Sequence, residues 1–382
     1  MKICILNVLH EPFDKRVFHK MARSLAAHGH EVVSIVPAER APDPTDGVAF
    51  RAIKKARTLP DRFLSVFRLI REGRQVDAEV YLAVEPESWV AALILKMMTG
   101  RRVVFDVHEY IPTEFAKFFP KFMFDFIAWL TVRMMRLFAR GTDHIILTKQ
   151  CLDREFAGLR TSRTVVLNTN HLQAPCADIA PELRARYAAC PTVIHQGQFG
   201  DVRGAYQLLE AMKIVLRELP NAKCILLGEY VQGDEAAYRR AVADAGLADA
   251  IHFLGKAPFE QVPQYIAVSR VGLILFQPIG LGHTLGMPHK MFDYMREGIP
   301  FVAPDFVLEI RRIVEEADCA LLVDVTRPDA IAAAILRLLR DPEEAARLGR
   351  NGRRIVESRY NWTHDERRLL EVFTAVHNDG RS

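Results

Sequence analysis

The chain has 382 residues, of which 50% are hydrophobic and 26% charged, and its formal net charge at pH 7 is +4. This length exceeds one ordinary hydrophobic core and predicts two domains of roughly 180 residues each. The composition is that of a soluble globular protein, which excludes disordered and fibrous classes. No apolar run approaches the ~20 residues that a membrane-spanning helix needs, and the opening MKICILNVLH indicates a short strand rather than a secretion signal.

Short β-branched runs alternate with helical patterns through the first part of the chain. An amphipathic helix is predicted over 18–28, ending at Gly29. Strands are predicted over 2–9, 31–37, 79–84, 101–107, 144–149 and 164–168. Alternation of strand and helix in this order is typical of a parallel sheet with helices on both faces.

A second series of elements begins after Pro191. Strands are predicted over 192–197, 223–228, 251–255, 271–276, 300–304 and 320–325, and helices over 205–219, 235–245, 288–297, 328–339, 342–357 and 363–376. Residues 170–191 contain Pro175, Pro181 and Pro191 and no clear strand, which predicts a linker. The sequence therefore predicts two Rossmann-like domains with a ligand cleft between the carboxyl ends of their sheets.

The six cysteines are scattered and form neither a CxxC pair nor a Cys/His cluster with zinc spacing. This pattern predicts no metal site. It also predicts reduced, mostly buried thiols in a cytoplasmic protein.

Positive charge is concentrated in the first part of the chain. Residues 1–170 carry 26 Lys and Arg against 19 Asp and Glu, whereas residues 171–382 carry 25 against 28. The segment 51–74 holds eight basic and two acidic residues. It indicates either a solvated helix face or a patch for an anionic membrane surface or a phosphorylated lipid. Nucleic acid is disfavoured because no RNA- or DNA-reading motif accompanies the charges.

The segment 115–138 is rich in Phe and Met, contains Trp129, and has interspersed Lys and Arg. Such a segment can lie in a membrane interface. The alternative is a core helix with a few exposed charges, because large apolar residues are usually buried.

The loop after the first predicted strand, NVLHEPFDKR over 7–16, is polar and charged. It lacks the GxGxxG pattern of dinucleotide-binding folds, which disfavours NAD and FAD. A charged loop at the carboxyl end of a strand can face substrate, although Asp14 could equally cap the helix that follows.

Asp106, His108 and Glu109 end another predicted strand. Polar side chains at that position are hard to explain by packing alone. A cluster of histidine and carboxylates can orient sugar hydroxyls or share a proton. A histidine that is simply paired for structural reasons is the alternative.

Two glycine-containing loops in the second part have the composition of phosphate-binding sites. QGQFGDVRG over 196–204 places Arg203 just before a helix, and GLGHTLGMPHK over 280–290 leads into the helix that we expect to begin at Pro288. Backbone N–H groups and the positive end of a helix favour an anion there, and Lys290 would add a full charge. Either loop alone is compatible with an ordinary capped helix, whereas two in one domain are more specific.

Six segments resemble the retaining GT-B glycosyltransferases of family 4, also called group 1. They are HEPFDKRVFHKMARSLAAHGHEV, FDVHE, QGQFGDVRGAYQLLEAM, GKAPFEQVPQYIAVSRVGLILF, MPHKMFDYMREGIPFVAPD and RYNWTHDERRLLEVF. The resemblance spans nearly the whole chain and implies an α/β GT-B fold of two Rossmann-like domains facing a central cleft. Residues 1–172 would form the acceptor domain and residues 190–360 the nucleotide-sugar donor domain. A closing helix within 361–382 would pack back on the first domain.

The resemblance also implies roles for matched positions. Arg203 would grip the donor diphosphate, Lys290 stands in the donor helix, and Asp293 falls where an acidic residue binds the ribose. His108 falls where a histidine approaches the donor sugar, so the predicted catalytic residues are His108, Arg203 and Lys290. The predicted donor-binding residues are Gly197, Gln198, Gly200, Gly282, His283, Thr284, Leu285, Gly286, Met287 and Asp293, and the predicted acceptor-binding residues are His10, Asp14, Arg16 and Glu109.

The sequence departs from the family pattern in the donor segment and the diphosphate loop. Two glutamates with seven residues between them are usual in the donor segment, and here Leu285 and the shorter Asp293 stand in their places. Gln198 stands where an arginine is usual, and Arg203 where a lysine is usual. Contacts with the donor sugar near Leu285 must then come from backbone groups or from elsewhere.

The implied reaction uses no cofactor and no metal, because cationic side chains and a helix N-terminus would stabilise the charge on the leaving nucleoside diphosphate. The implied enzyme is a cytoplasmic hexosyltransferase that acts in cell-surface polysaccharide or glycolipid synthesis. It is a candidate for peripheral attachment to the inner face of the membrane. Its expected partners are a nucleotide-sugar donor, a glycan or lipid-linked acceptor and an anionic membrane surface. A GT-B sugar-nucleotide epimerase and a non-catalytic GT-B-like binding subunit remain alternatives. The sugar, nucleotide, acceptor, linkage and oligomeric state stay open.

Overall fold

The computed structural model describes residues 1–108, 110–116, 119–279 and 284–378. The chain forms two compact units. Unit 1 comprises Met1–Asn168 with Trp362–Ser382, and unit 2 comprises Thr169–Asn361. The expected boundaries at 172 and 190 differ from these chiefly because the segment predicted as a linker belongs to unit 2.

Unit 1 is built on a parallel sheet of seven described strands. They are β1 (Lys2–Leu6), β2 (Glu31–Pro37), β3 (Val48–Ile53), β4 (Val80–Ala83), β5 (Arg102–Val107), β6 (His144–Leu147) and β7 (Ser162–Val165), in the order β3-β2-β1-β4-β5-β6-β7. The central strands β1, β4 and β5 are largely apolar because both faces of the sheet are covered by helices, with Asp106 near the end of β5 as a buried exception.

Helices of unit 1 cover the two faces of this sheet. Val17–Ala22 has the wider i→i+5 hydrogen-bond pattern and continues directly into α1 (Arg23–Ala27). The others before residue 168 are α2 (Leu59–Val76), α3 (Pro86–Thr99), α4 (Ile111–Ala116) and α5 (Phe124–Arg140), with short 3-10 turns at Lys121–Met123 and Gln150–Phe156. Pro60 and Pro86 stand in the first turns of α2 and α3, where a missing N–H costs nothing.

Side chains alternate between two hydrophobic clusters along each strand of unit 1. Cys4 and Leu6 pack with α2, α3 and α5, whereas Ile3 and Ile5 pack on the opposite face. In the first cluster the buried Trp89 ring stacks on Phe105 with centroids 3.8 Å apart.

Unit 2 is built on a parallel sheet of six described strands. They are β8 (Thr192–Gln196), β9 (Lys223–Leu227), β10 (Ile251–Gly255), β11 (Val271–Leu273), β12 (Phe301–Pro304) and β13 (Ala320–Val323), in the order β10-β9-β8-β11-β12-β13. The chain winds outward from β8 in one direction and from β11 in the other. The boundary between these two strands is therefore the topological switch point, where ligands of open α/β sheets bind.

The described α-helices of unit 2 lie before, between and after its strands. They are α6 (Pro181–Tyr187), α7 (Ala205–Glu218), α8 (Glu235–Asp244), α9 (Val262–Ala267), α10 (His289–Glu297), α11 (Leu308–Ala317), α12 (Pro328–Arg340) and α13 (Pro342–Ser358). α7 and α12 contribute most of the helical residues of the main core, including Leu208, Met212 and Ile335. The last helix, α14 (Trp362–Asn378), belongs to unit 1 and packs in the same cluster as Ile3 and Ile5.

The predicted elements agree with the structure at most positions, with a few differences. β3 and the helices α2, α3 and α11 lie in residues for which no strand or helix was predicted. α6 lies in the predicted linker, β7 begins two residues earlier than expected, and β11 is shorter. All six cysteines are free, and Cys4, Cys224 and Cys319 are buried while the others are half-buried. The expectation of mostly buried thiols is therefore met by half of them.

The basic segment 51–74 is not a single helix face, because it runs from β3 through a loop into α2. Several of its charges are paired, including Arg51 with Glu72 at 3.1 Å and Arg62 with Glu87 at 2.6 Å. Among the described residues, none of the helices combines the length and apolar character needed to cross a membrane.

Candidate functional site

A cluster of polar side chains lies at the carboxyl ends of three neighbouring strands in unit 1. The loop after β1 supplies His10 and Asp14, the end of β4 supplies Glu85, and β5 with its following loop supplies Asp106 and His108. β1 and β4 form the switch point of this sheet, since β2 and β3 continue on the other side of β1. The predicted substrate-facing loops therefore meet at one edge.

Asp106 is fully buried at the centre of this cluster. The Arg16 guanidinium donates from Nε to Oδ2 at 2.8 Å and from Nη2 to Oδ1 at 2.7 Å, and His108 Nε2 hydrogen-bonds to Oδ2. Burial alone would raise the pKa of Asp106. The charges of Arg16 and His108 and the hydrogen bonds from both reverse that effect, so the pKa lies well below its usual range.

Arg16 was expected to contact an acceptor, but the structure buries it at 3% exposure. Its guanidinium also donates to the backbone oxygens of Val166 and Leu167, at 3.1 and 3.3 Å. These contacts make Arg16 the group that fixes Asp106, and through Asp106 the orientation of His108.

His10 connects His108 to the loop that follows β1. The two imidazole rings lie 5.0 Å apart, and His10 Nδ1 lies 3.5 Å from Asp14 Oδ2. Burial disfavours the charged imidazole, but the hydrogen bond to Asp14 and the charges of Glu85, Asp14 and Asp106 outweigh it and raise the pKa of His10. Asp14 also accepts hydrogen bonds from the N–H groups of Arg16 and Val17, both at 2.8 Å, so it caps the helix as well as facing His10.

Glu85 is a member of this cluster that the sequence reasoning missed. Its carboxylate accepts from the N–H groups of Val8 at 3.1 Å and Leu9 at 2.9 Å, and His10 Nε2 lies 3.8 Å away. Burial raises the pKa of Glu85 despite these contacts. The signal was available, since Glu85 directly follows a predicted strand. Glu109, the remaining predicted acceptor residue, lies outside the described residues.

In unit 2, a glycine turn at the end of β8 approaches the first turn of α10. Gly197 has φ +86°, and a Cβ added there would lie 3.8 Å from Lys290 Cε. A Cβ on Gly228 would lie only 2.1 Å from the Gly197 carbonyl oxygen, so this close approach of two strand ends requires glycine. The two predicted phosphate-binding loops thus adjoin at the switch point of unit 2.

Lys290 and His195 form a buried pair beside this turn. Lys290 Nζ lies 2.9 Å from His195 Nε2, and the two residues are 6% and 0% exposed. Burial and the charge of Arg203 hold the pKa of Lys290 well below its usual range, although Asp293 opposes the shift. Burial and the charges of Lys290 and Arg203 likewise hold the pKa of His195 well below its usual range. The site therefore concentrates basic groups whose charged forms would be stabilised by an anion.

Arg203 follows the glycine turn and precedes α7. Its Nη2 donates to Gln198 Oε1 at 3.0 Å, and its guanidinium lies 5.5 Å from the Phe276 ring centroid. Nε is buried without a hydrogen-bond partner among the described residues. Gly200, which lies in the same turn, has φ +151° and closely approaches the Val231 carbonyl oxygen.

Asp293 was expected to bind sugar hydroxyls, and the structure buries it at 4% exposure. Oδ1 accepts from Asn170 Nδ2 at 2.7 Å, and Oδ2 accepts from Gln196 Nε2 at 2.6 Å. Arg296 Nη1 lies 3.6 Å from Oδ1. Asp293 therefore holds Gln196 at the end of β8, and a ligand would meet it only by displacing one of these amides.

The other predicted donor residues differ in how far they are buried. Leu285 is 2% exposed, so its side chain belongs to the core. Thr284, Gly286 and Met287 are half-buried in the segment that precedes α10, whereas Gly282 and His283 lie outside the described residues. Pro288 was expected at the first helical position, but it is the extended residue before it, with ψ 135°. His195 and Asn170 are site neighbours that sequence reasoning missed, and Gln196 was predicted only as part of the loop 196–204.

Two family descriptions match the chain, one in each unit. "Glycosyl transferase 4-like domain" matches residues 15–170, and "Glycosyl transferases group 1" matches residues 185–355. The chain is 26% identical over 212 residues to the GDP-mannose-dependent alpha-(1-6)-phosphatidylinositol monomannoside mannosyltransferase of Mycolicibacterium smegmatis. The aligned region covers 53% of this chain and 53% of that protein. The chain thus spans about half the length of the curated relatives it matches.

Two solved structures resemble the whole chain. HepE of Anabaena in complex with UDP has a TM-score of 0.76 at 17% identity. The superposed region covers 98% of this chain and 100% of the HepE chain. Sucrose-phosphate synthase of Thermosynechococcus elongatus has a TM-score of 0.76 at 17% identity, with coverage of 99% and 100%. At these identities the likeness concerns the fold, and it confirms the predicted GT-B class of two Rossmann-like, parallel-sheet domains.

Proposed function

We propose that this chain, which belongs to the group 1 glycosyl transferases, moves a sugar from a nucleotide-sugar donor to a glycan or lipid-linked acceptor with retention of the anomeric configuration. The observation that carries the proposal is the basic site of unit 2. There the Gly197 turn, Lys290, His195 and Arg203 converge at the switch point of a parallel sheet. This convergence suits the diphosphate of a nucleotide.

In the proposed reaction, negative charge develops on the leaving diphosphate as its bond to the anomeric carbon breaks. Lys290, Arg203 and the N-terminus of α10 stabilise that charge, so the reaction requires no resident metal. The anomeric carbon passes through an oxocarbenium-like state. The acceptor hydroxyl attacks that carbon and passes its proton to the leaving phosphate.

The observed burial changes two of the predicted roles. Asp293 and Leu285 are enclosed, so we assign Asp293 to positioning Gln196 and assign sugar contacts to backbone groups of 284–287. The cluster of unit 1 takes the acceptor role, with His108 and His10 as its half-buried imidazoles. His108 keeps the role in sugar transfer that the family resemblance implies, and Asp106 fixes its ring.

The acceptor is proposed to be lipid-linked, in polysaccharide or glycolipid synthesis at the cytoplasmic face of an anionic membrane. The excess of 26 basic over 19 acidic residues in 1–170 supports this proposal. The relative from M. smegmatis is named for action on a phosphatidylinositol mannoside, which is consistent with a lipid acceptor.

A thermal-shift screen against UDP-, GDP-, ADP- and TDP-sugars tests the donor site. A ligand at ~100 times its dissociation constant stabilises the protein by ~2.7 kcal/mol, which is readily detected. No shift with any of these sugars would contradict the proposal.

The donor that binds is then incubated with lipid extracts, and the anomeric configuration of the product is read by NMR. Retained configuration is expected. Conversion of the donor without an acceptor would instead identify an epimerase, and binding with no turnover over a wide acceptor panel would identify a binding subunit.

A further inference from the structure

Unit 1 contains an open cavity of about 440 Å³ between helices α2, α3, α4 and α5. Its walls are almost entirely hydrocarbon. The lining residues include Phe63, Trp89, Val90, Ile127, Thr131 and Met134. The volume falls within the range of about 300–1,000 Å³ that is typical of small-ligand sites.

Large apolar side chains are also exposed around this cavity. Phe67 is 70% exposed, Phe126 is 58% exposed and Trp129 is 53% exposed. The face of α5 that bears Trp129, Leu130 and Met134 was expected either in the core or at a membrane interface, and it is exposed. Contiguous exposed apolar surface of this kind marks an interaction site.

Basic residues accompany the apolar surface. The segment from Lys121 to Arg140 contains four Lys and Arg residues and one acidic residue, Asp125. One of the four, Arg136, donates to the backbone oxygens of Glu155 and Ala157. The Arg133 guanidinium lies 5.1 Å from the Trp129 ring centroid, at the exposed surface. The acidic group in the cavity wall, Glu87, is paired with Arg62 at 2.6 Å. An anionic headgroup would therefore meet net positive charge.

We propose that this cavity binds the hydrocarbon tail of an anionic membrane lipid, whose phosphate lies among the basic residues of α5 and its preceding turn. A second copy of the chain fits less well, because two such basic surfaces would repel one another. An aromatic and basic amphipathic helix is also the kind that lies in a lipid headgroup region. The assignment of this lipid as the sugar acceptor rests on the proposed function, whereas its binding does not.

The test uses n-alkyl phosphates of six to fourteen carbons, each below its micelle concentration, titrated into the full chain by calorimetry. Binding should tighten about fourfold per added methylene, since each buried methylene contributes about 0.8 kcal/mol. The gain should stop once the tail fills the cavity. An affinity that does not depend on tail length would overturn the proposal, and so would tighter binding of the matching alkyl trimethylammonium ions.

Two variants fill the cavity and one serves as a matched control. Thr131→Phe and Val90→Phe enlarge lining side chains, and each should weaken decyl phosphate binding at least tenfold. Thr131→Val keeps the volume at the same position and should bind like the wild type. Circular dichroism melts identify any variant that fails to fold, and wild-type affinity in both folded filling variants would refute the site.

These outcomes separate the lipid site from the proposed function. A normal dependence on tail length together with failure of the donor screen would leave the lipid site standing and reject sugar transfer. Concentration-dependent dimerisation that occludes the surface, with no alkyl phosphate bound, would assign the surface to a second copy and overturn the proposal.

Discussion

The protonation of Lys290 should depend directly on whether a diphosphate is bound beside it. Its Nζ is enclosed with the His195 imidazole at 2.9 Å, and burial with the charge of Arg203 lowers its pKa. A diphosphate at the Gly197 turn would add negative charge and raise that pKa again. Nucleotide binding should therefore be coupled to proton uptake by Lys290.

This coupling determines whether nucleotide affinity rises or falls with pH. Where the pH exceeds the pKa of Lys290 in the free protein, binding must take up a proton, so nucleotide affinity should fall as the pH rises. Calorimetry in two buffers with different ionisation enthalpies measures that uptake directly. Lys290→Met should abolish the uptake and weaken binding roughly 10- to 100-fold, as expected for a lost charge-assisted hydrogen bond.

The control for this experiment is Lys213→Met, which removes a partly exposed lysine paired with Glu210 on α7. It should leave both the affinity and the proton uptake unchanged. Identical apparent enthalpies for the wild type in the two buffers would contradict the proposed coupling.

At the scale of elements, α10 is fixed to the sheet by a tyrosine at the switch point. Tyr294 Oη accepts from the Gln196 N–H at 3.2 Å and lies 3.2 and 3.3 Å from the carbonyl oxygens of Ile194 and Leu273. A Cβ on Gly272 would lie 2.4 Å from the ring, so a glycine in β11 makes room for it. The hydroxyl thus joins β8, β11 and the helix that carries Lys290.

Tyr294→Phe should lower the free energy of unfolding by about 1–3 kcal/mol, because the Gln196 N–H loses its acceptor and the carbonyl oxygens of Ile194 and Leu273 lose the one hydroxyl proton that they share. Nucleotide binding should weaken as well, since α10 loses its anchor. Denaturant unfolding and the nucleotide thermal shift measure the two effects. Tyr206→Phe, at a 41% exposed tyrosine, is the matched control and should change neither. Equal stability of the two variants would show that the hydroxyl anchors nothing.

Elements with strong local signals could be predicted from the sequence, and those with weak signals could not. β2 was predicted at its observed bounds because EVVSIVP is rich in valine and isoleucine, with Ser34 as the single polar residue inside the run. β3 was missed because Arg51 interrupts its apolar pattern, as suits an edge strand. α6 was missed because a seven-residue helix among prolines has too little periodicity to detect.

The same distinction holds in the candidate site. The glycine turn, Arg203 and Lys290 were predicted because glycines, a cation and a helix start lie close together in the sequence. His195 was missed because its partner Lys290 is distant in the sequence. Glu85 was missed although it directly follows a predicted strand, and only its contact with the Val8 N–H shows that it joins the first loop. The burial of Asp293 could not be predicted either, since Asn170 reaches it across 123 positions of sequence.

At the scale of the whole molecule, unit 1 is completed by a helix that follows unit 2. Trp362 is 1% exposed, and its Nε1 donates to Ser24 Oγ at 3.0 Å. Leu369, Val372 and Phe373 continue the contact along α14 in the cluster that also holds Ile3 and Ile5. α14 is therefore part of the core of unit 1.

Trp362→Ala should destabilise unit 1 by about 3–5 kcal/mol, as expected for removal of a buried aromatic side chain. The two remaining tryptophans, Trp89 and Trp129, both belong to unit 1, so fluorescence during urea unfolding reports on that unit. The nucleotide thermal shift should persist because the donor site lies in unit 2. Phe122→Ala, at an 87% exposed phenylalanine, is the control. An unchanged fluorescence transition in Trp362→Ala would contradict a core role for α14.

The late position of α14 sets the order in which a ribosome can complete the two units. Translation must pass through Thr169–Asn361 before α14 emerges, which takes tens of seconds at about 5–20 residues per second. Unit 2 is contiguous and can fold on the nascent chain, whereas the sheet of unit 1 waits with one hydrophobic face incomplete. The second unit is thus expected to mature first, and the exposed face of the first is a natural substrate for chaperones during synthesis.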